Sequence, residues 1–313
     1  MKKIQKNYLK NIYQLLVETF NQFLDDKGFK MSAALSYYAA FSLGPLLIII
    51  ISIAGFIFGE EAARGELAIQ MENLVGHDGA VLIQTIVKGA ANTSTGIIST
   101  VISVVFLVLG SLAVFLELQE SLNIIWGVEQ KPGRVLKNLI KNRINSFSMV
   151  IATGFLLAIS LLINSFISLL YNYLGKMFDD YLPVLDILNI VSSFVVVTLL
   201  FALIFKYLPD VIISWKYVWL GSIITSVLFS IGKYLIGLYL GKSSYSSTYG
   251  AAASFVILFI WIYYSGIILF FGAEFTQVLR RKYGKVELKP DSDGLLIPKI
   301  SELIKSSYEK ITK

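Results

Sequence analysis

The chain has 313 residues, of which 56% are hydrophobic and 15% are charged, and its formal net charge is +6. Ordinary soluble domains carry about 25% charged residues, so this composition excludes a typical water-soluble domain. The sequence has no cysteine and a single histidine, His77, which excludes disulfides, thiolate zinc sites, iron–sulfur clusters and a Cys–His nucleophile pair.

The first predicted element is an amphipathic helix within residues 1–30. Apolar residues recur there at helical spacing beside several lysines: Ile4, Tyr8, Ile12, Leu15, Leu16, Phe20 and Phe23. Two placements fit this pattern, a helix lying on the inner leaflet of a membrane or a helix packed on the protein's own cytoplasmic face. No apolar core with a cleavage site directly follows the lysine-rich start, so signal-peptide cleavage is not predicted.

Long apolar segments follow the N-terminal helix. A helix needs about 20 predominantly apolar residues to cross the hydrocarbon of a bilayer. Six segments meet this requirement: Ala33–Phe58, Ile97–Leu116, Phe147–Leu170, Ile187–Phe205, Tyr217–Leu240 and Ala251–Phe275. We therefore predict an all-α fold, a polytopic membrane bundle with six transmembrane helices over residues 31–283.

Lysine and arginine set the predicted orientation, because basic flanks are retained in the cytoplasm. Of the 27 basic residues, 22 lie in the N-terminal region, the loops after the second and fourth spans, and the tail. The outward loops hold four, and Lys233 lies within a span. These positions predict a multi-pass protein of a bacterial cytoplasmic (inner) membrane with both termini in the cytoplasm.

The first outward loop and the C-terminal tail have contrasting patterns. Residues 59–95 contain two helix-like stretches, Arg64–Leu74 and Ala80–Ala91, separated by turn-forming residues. This pattern predicts an external helical hairpin. Residues 284–313 form a polar, lysine-rich cytoplasmic tail, for which a short helix over Ile300–Ile311 and disorder are both compatible with the sequence.

Three stretches resemble the YihY/BrkB family of integral membrane proteins, formerly labelled ribonuclease BN-like. They are AALSYYAAFSLGPLLIII at residues 33–50, LNIIWGVEQKPGRVLKNLIKNRINSF at 122–147, and the last third, from FKYLPDVIISW at 205 to GAEFTQV at 272–278. The resemblance covers most of residues 30–283, and it implies a helical membrane protein without an agreed substrate.

The nuclease label does not fit the residues present. Phosphodiester hydrolysis uses metal-held carboxylates or an acid–base pair, whereas His77 lies in the predicted external loop, away from cytoplasmic RNA. The sequence contains neither a G-x-x-x-x-G-K-[ST] loop nor a G-x-S-x-G elbow. We predict that the chain is not an enzyme and has no cofactor, no metal and no nucleic-acid partner.

Polar residues at membrane depth are the candidates for function, since they are costly there. The transport or cavity candidates are Ser36, Tyr37, Tyr38, Pro45, Glu117, Glu120, Asn164, Lys233 and Glu274. Each also has a structural interpretation. Lys233 can snorkel to the outer headgroups, and a helix kinked at Pro45 can be packed instead of broken around a cavity. The hydroxyls and Asn164 can join helices by hydrogen bonds, and the glutamates can pair with basic loop residues, such as Arg143, Lys206 or Arg280.

Three functions compete for these features. The first is a secondary or passive transporter, or a lipid-handling protein, with a cavity between the helices. The second is a membrane scaffold that binds other proteins, and the third, least favoured, is a ribonuclease or other membrane hydrolase. The expected partners are membrane lipids, anionic on the cytoplasmic face, and an unidentified solute or lipid substrate; the sequence is also compatible with a homo-oligomer.

Overall fold

The computed structural model describes residues 2–59, 113–130, 182–241, 246–284, 289–290 and 294–296, together with residues 61, 64–65, 68, 81 and 84–85. The described structure is mostly helical, as predicted. The third predicted span, which includes Asn164, lies outside the described residues, as does most of the second. The count of six spans therefore stays a prediction.

Six long helices follow one another along the described residues. They are α1 (Lys2–Asp25), α2 (Gly28–Phe58), α3 (residues 113–126), α4 (Leu182–Tyr207), α5 (Trp215–Gly241) and α6 (Ser246–Tyr283). Three of them contain segments long and apolar enough to cross a membrane, Ile190–Tyr207, Trp215–Leu235 and Leu258–Tyr283. These segments match the fourth, fifth and sixth predicted spans.

The turn between α1 and α2 is tight. Lys27 adopts a left-handed conformation with φ of 60°, and Gly28 follows because a Cβ there would overlap the Phe23 ring. α2 then continues for 31 residues without interruption through Gly44 and Pro45. The helix is therefore not broken at Pro45, which agrees with the interpretation of this proline as part of a packed helix. A proline inside a helix removes one backbone hydrogen bond.

α6 is the central helix of the described bundle, because α1, α2 and α5 all pack against it. Residues 268–270 and 272–278 of α6 are all buried. A helix buried on every side must be surrounded by neighbouring elements. Phe270 and Ala273 of α6 belong to one buried cluster with fully buried residues of α3, of α4 and of the segment after α4: Leu122, Ile125, Phe205 and Leu208.

α5 and α6 are locked together by two glycine–threonine pairs. A Cβ at Gly221 of α5 would overlap Thr276 of α6, and a Cβ at Gly272 of α6 would overlap Thr225 of α5. Both threonine hydroxyls donate to the carbonyl oxygen four residues earlier in their own helix, each at 2.7 Å. Small residues at matched positions let two membrane helices approach closely. We call these four residues the glycine–threonine interlock.

The prediction of an all-α fold missed four short strands. β1 (Val128–Gln130) pairs antiparallel with β4 (Gly294–Leu296), and β2 (Val211–Ile212) pairs antiparallel with β3 (Lys289–Pro290). The chain after α6 thus returns across the loops that follow α3 and α4. All four strands lie where α6 ends in Arg280, Arg281 and Lys282, which we call the basic end of the bundle.

The predicted external hairpin is described at only a few positions. Residues 64–65 and 68 of its first stretch and 81 and 84–85 of its second are helical. Thr85 donates its hydroxyl hydrogen to the carbonyl oxygen of Val81 at 2.9 Å, as in a regular helical turn. The remainder of the hairpin lies outside the described residues, so the hairpin stays a prediction.

Candidate functional site

Glu274 is the most buried of the predicted site residues that the structure describes. It lies in the central helix α6 and has 0% of its surface exposed. It precedes Arg280 by six residues, or about 9 Å at 1.5 Å per residue. Residues two apart on a helix point in nearly opposite directions, so Glu274 points away from Gly272 and Thr276, which contact α5. The carboxylate therefore lies on the side of α6 opposite the glycine–threonine interlock.

Helix α1 packs along the side of α6 that carries Glu274. Arg281, seven residues after Glu274 and on the same face, forms a salt bridge of 2.5 Å with Glu18 of α1. Leu15 of α1 belongs to one buried cluster with Phe275 and Val278 of α6. The N-terminal helix is thus fixed on the protein, and its packed face covers the Glu274 side of α6.

Polar neighbours accompany this contact. Gln277 of α6 is one turn after Glu274 and is 4% exposed, and its Oε1 has no hydrogen-bond partner among the described residues. On α1, Thr19 and Gln22 are buried one turn apart. Thr19 donates its hydroxyl hydrogen to the carbonyl oxygen of Leu15 at 2.8 Å. The basic end therefore holds buried amide, hydroxyl and carboxylate groups within an otherwise apolar bundle.

The candidates of the first span are divided between two faces of α2. Ser36 is buried and donates to the carbonyl oxygen of Ala33 at 2.8 Å. Tyr37 and Tyr38 are exposed, and their rings form an aromatic cluster with Phe41, with centroid distances of 5.7 Å and 4.9 Å from Tyr37. These tyrosines lie on the outer surface of the described bundle and are not gathered around Glu274.

The other candidates are also dispersed. Glu117 of α3 is half-buried and accepts a hydrogen bond from Ser121 at 3.4 Å. Burial raises the pKa of the Glu117 carboxyl, the nearby charge of Glu120 raises this pKa as well, and the bond from Ser121 lowers it. Glu120 is exposed, and so is Lys233 of α5. The sequence did not predict this separation, because it shows depth along a helix but not which face meets which neighbour.

Lys206, a predicted partner of the glutamates, has other contacts. Its Nζ donates to the carbonyl oxygen of Ile213 at 2.5 Å and lies 5.7 Å from the centre of the Trp215 ring. Ile213 lies in the short connection between α4 and α5, and Trp215 is the first residue of α5. Lys206 therefore fastens this connection to the end of α4.

Sequence reasoning missed a buried polar cluster at the basic end. Asp210, in the connection between α4 and α5, accepts hydrogen bonds at Oδ2 from Asn123 at 3.0 Å and Gln119 at 3.3 Å. The Asp210 backbone N–H donates to Asn123 Oδ1 at 2.8 Å, and all three residues are buried. The sequence did offer a signal for this cluster. Gln119 and Asn123 lie four residues apart in an apolar helix, and buried side-chain amides need hydrogen-bond partners.

We expect Asp210→Ala to lower the stability of the protein, because it leaves two buried amides without their acceptor. A stranded buried polar group costs about 1–3 kcal/mol. The measurement is thermal unfolding in detergent, with Asp25→Ala at an exposed position of α1 as the matched control. Asp210→Asn keeps an acceptor oxygen and is expected to cost less. Equal unfolding temperatures for Asp210→Ala and Asp25→Ala would show that the cluster contributes nothing.

Sequence comparisons place the chain among bacterial membrane proteins. The profile of the family described as Virulence factor BrkB matches residues 19–294. A UPF0761 membrane protein of Azotobacter vinelandii is 26% identical over 262 residues, covering 82% of this chain and 60% of the relative. A UPF0761 membrane protein of Stenotrophomonas maltophilia is 26% identical over 279 residues, covering 86% of this chain and 62% of the relative. A UPF0761 membrane protein of Vibrio cholerae is 27% identical over 225 residues, covering 70% of this chain and 69% of the relative.

The coverage of these relatives is unequal. The chain spans only about 60% of the length of the first two relatives, so each of them carries sequence that has no counterpart in the matched region. No solved structure matches the chain significantly. The names of the relatives describe membrane proteins and mention no substrate.

Proposed function

The chain belongs to the BrkB family of membrane proteins, and on this basis we propose that it is a secondary or passive transporter, or a lipid-handling protein, of the bacterial inner membrane. Its substrate is a solute or a lipid that passes between the helices. We propose further that it is not an enzyme, that it binds no nucleic acid, and that its basic end meets the anionic headgroups of the cytoplasmic leaflet.

The observation that carries this proposal is the fully buried carboxylate of Glu274 in a membrane-spanning segment. Ionisable side chains inside membrane helices are costly, and such residues face the bundle interior and mark ion and substrate pathways or proton relays. Glu274 lies in the central helix, against which α1, α2 and α5 pack, so a route between this helix and a neighbour can pass it.

The packing around α6 indicates on which side the route runs. The glycine–threonine interlock brings α5 and α6 together with no space for a side chain at Gly221 or Gly272. The opposite side of α6 carries Glu274 and Gln277 and is covered by α1, a separate helix joined to α2 by a short turn. We propose that the route passes on the α1 side of α6.

Reconstitution tests the proposal directly. The purified full chain is inserted into vesicles, and the flux of a panel of ions and the movement of fluorescent lipids between leaflets are measured against protein-free vesicles. A transporter or lipid-handling protein accelerates at least one of these fluxes. A chain that accelerates none of them, across the whole panel, does not have the proposed function.

We predict the topology from the distribution of basic residues. Because the chain has no cysteine, single-cysteine variants report accessibility without background. Cysteines replacing Gly133 and Lys289 should be labelled only from the cytoplasmic side, and cysteines replacing Asp78 and Ser244 only from the outside. Outside labelling at Gly133 would overturn the orientation.

A membrane scaffold is the second candidate. It is favoured by the interlocked α5 and α6 and by the strand pairs that fasten the chain after α6 to two loops. A bundle fixed in this way presents a constant surface, which suits binding of other membrane proteins. The vesicle assay separates the candidates, since a scaffold produces no flux.

A further inference from the structure

Helix α1 has three distinct faces along its described side chains. Successive residues of a helix are turned by about 100°, so each face can be read from the exposure of the residues on it. One face is buried against the protein and consists of Leu15, Thr19, Gln22 and Phe23. A second face is exposed and polar and includes Gln14, Asn21 and Asp25.

The third face is exposed and apolar. We call it the apolar strip; it consists of Tyr13, Leu16, Val17, Phe20 and Leu24, which are 40–69% exposed. The five residues cover an arc of about 100° at helical spacing. A contiguous apolar surface of this kind marks an interaction site with a protein or a membrane.

The contacts of α1 fix its level in the bundle. Leu15 packs with Phe275 and Val278 near the end of α6. Tyr283 follows the salt-bridged Arg281 by two residues in α6. Its carbonyl oxygen accepts a hydrogen bond of 3.2 Å from the hydroxyl of Tyr217 in α5. α1 thus lies at the level where α5 begins.

An aromatic belt marks the same level. Trp215, Trp219 and Tyr207 are all exposed, and their rings are adjacent, with centroids 6.1 Å and 6.2 Å from that of Trp215. Exposed tryptophan and tyrosine at helix ends are typical of the membrane–water interface. The apolar strip therefore lies at interface depth.

The apolar strip is also continuous with the outer surface of α2. After Leu24, the exposed Phe29 follows across the turn, and its ring packs edge-on against Phe23 at 5.1 Å. Further along α2, Tyr37 and Phe41 are exposed as well. The strip thus extends the bilayer-facing surface of a predicted spanning helix, whereas the polar face of α1 lies beside it.

We propose that α1 is an interfacial helix whose apolar strip is inserted into the lipid leaflet at the basic end, at the boundary between headgroups and acyl chains. The salt bridge of Glu18 with Arg281 and the buried face hold the helix on α6, and the lipid covers the strip. The polar face then points to water. This assignment is independent of what the bundle transports.

Paired labels on the two exposed faces test the proposal. The full chain receives a single cysteine by Leu16→Cys or Phe20→Cys in the apolar strip, or by Gln14→Cys or Asn21→Cys in the polar face. Each cysteine carries an environment-sensitive fluorophore. The proteins are placed, one chain per disc, in nanodiscs of phosphatidylethanolamine and phosphatidylglycerol, which expose both membrane faces to the buffer. Nitroxide-labelled phospholipid and aqueous iodide serve as the two quenchers.

We expect the nitroxide lipid to quench the labels of the apolar strip several-fold more strongly than those of the polar face, and iodide to show the reverse order. Equal iodide quenching on both faces would overturn the proposal, because the strip would then lie in water. Strip labels protected from both quenchers would also overturn it, since protein would then cover the strip. Two positions on each face are read separately, so one misfolded variant does not decide the result.

Discussion

Gly272→Ala and Gly221→Ala are each expected to destabilise the protein, although the same change usually stabilises an ordinary helix. An alanine in place of a helical glycine gains about 0.5–1 kcal/mol in helix propensity. At both positions, however, the new Cβ overlaps a threonine side chain whose hydroxyl is hydrogen-bonded within its own helix. Overpacking of this kind costs about 1–3 kcal/mol, so the packing cost exceeds the propensity gain.

Gly65 provides the matched control. It is also helical, and a Cβ there would meet nothing within 4 Å, so Gly65→Ala should leave the unfolding temperature in detergent unchanged or raised. A double variant gives a second check: adding Thr225→Gly to Gly272→Ala removes the overlapping side chain and should recover part of the lost stability. If all three single alanine variants unfold at one temperature, α5 and α6 are not in close contact.

The sequence predicted the helices well, because membrane spans have a strong physical signature. Runs of apolar residues placed the fourth, fifth and sixth spans on α4, α5 and α6, and the observed helices extend beyond the predicted bounds by one to eight residues. The resemblance to the YihY/BrkB family, based on three stretches, is confirmed by the family profile over residues 19–294. Both inferences use local sequence, which needs no knowledge of neighbours.

The arrangement of side chains was not predictable in the same way. Tyr37 and Ser36 are adjacent in sequence but lie on different faces of α2, and hydropathy does not say which face meets α6. The two strand pairs were missed because segments of two or three residues carry no periodic signal. Of the two placements predicted for α1, packing on the protein is observed, since one face lies against α6. Another face is exposed, and the placement on the inner leaflet stays a proposal.

Glu274→Gln is expected to reduce the transport rate by about tenfold or more, an increase of about 1.4 kcal/mol in the barrier. The change removes the charge while it preserves the volume and most of the shape of the side chain, so the packing of α6 should be nearly unchanged. Flux is measured in vesicles with the substrate identified in the panel assay, and the amount of folded protein is measured by gel filtration and thermal unfolding.

Glu120→Gln is the matched control, because it removes a carboxylate that is exposed on α3 and should leave flux unchanged. The decisive quantity is flux per folded protein. If Glu274 is a structural lock, Glu274→Gln lowers the unfolding temperature, and flux falls only in proportion to the folded fraction. Loss of flux with an unchanged unfolding temperature shows instead that the charge itself acts in transport. Full flux together with full stability would remove Glu274 from the site, and with it the route proposed on the α1 side of α6.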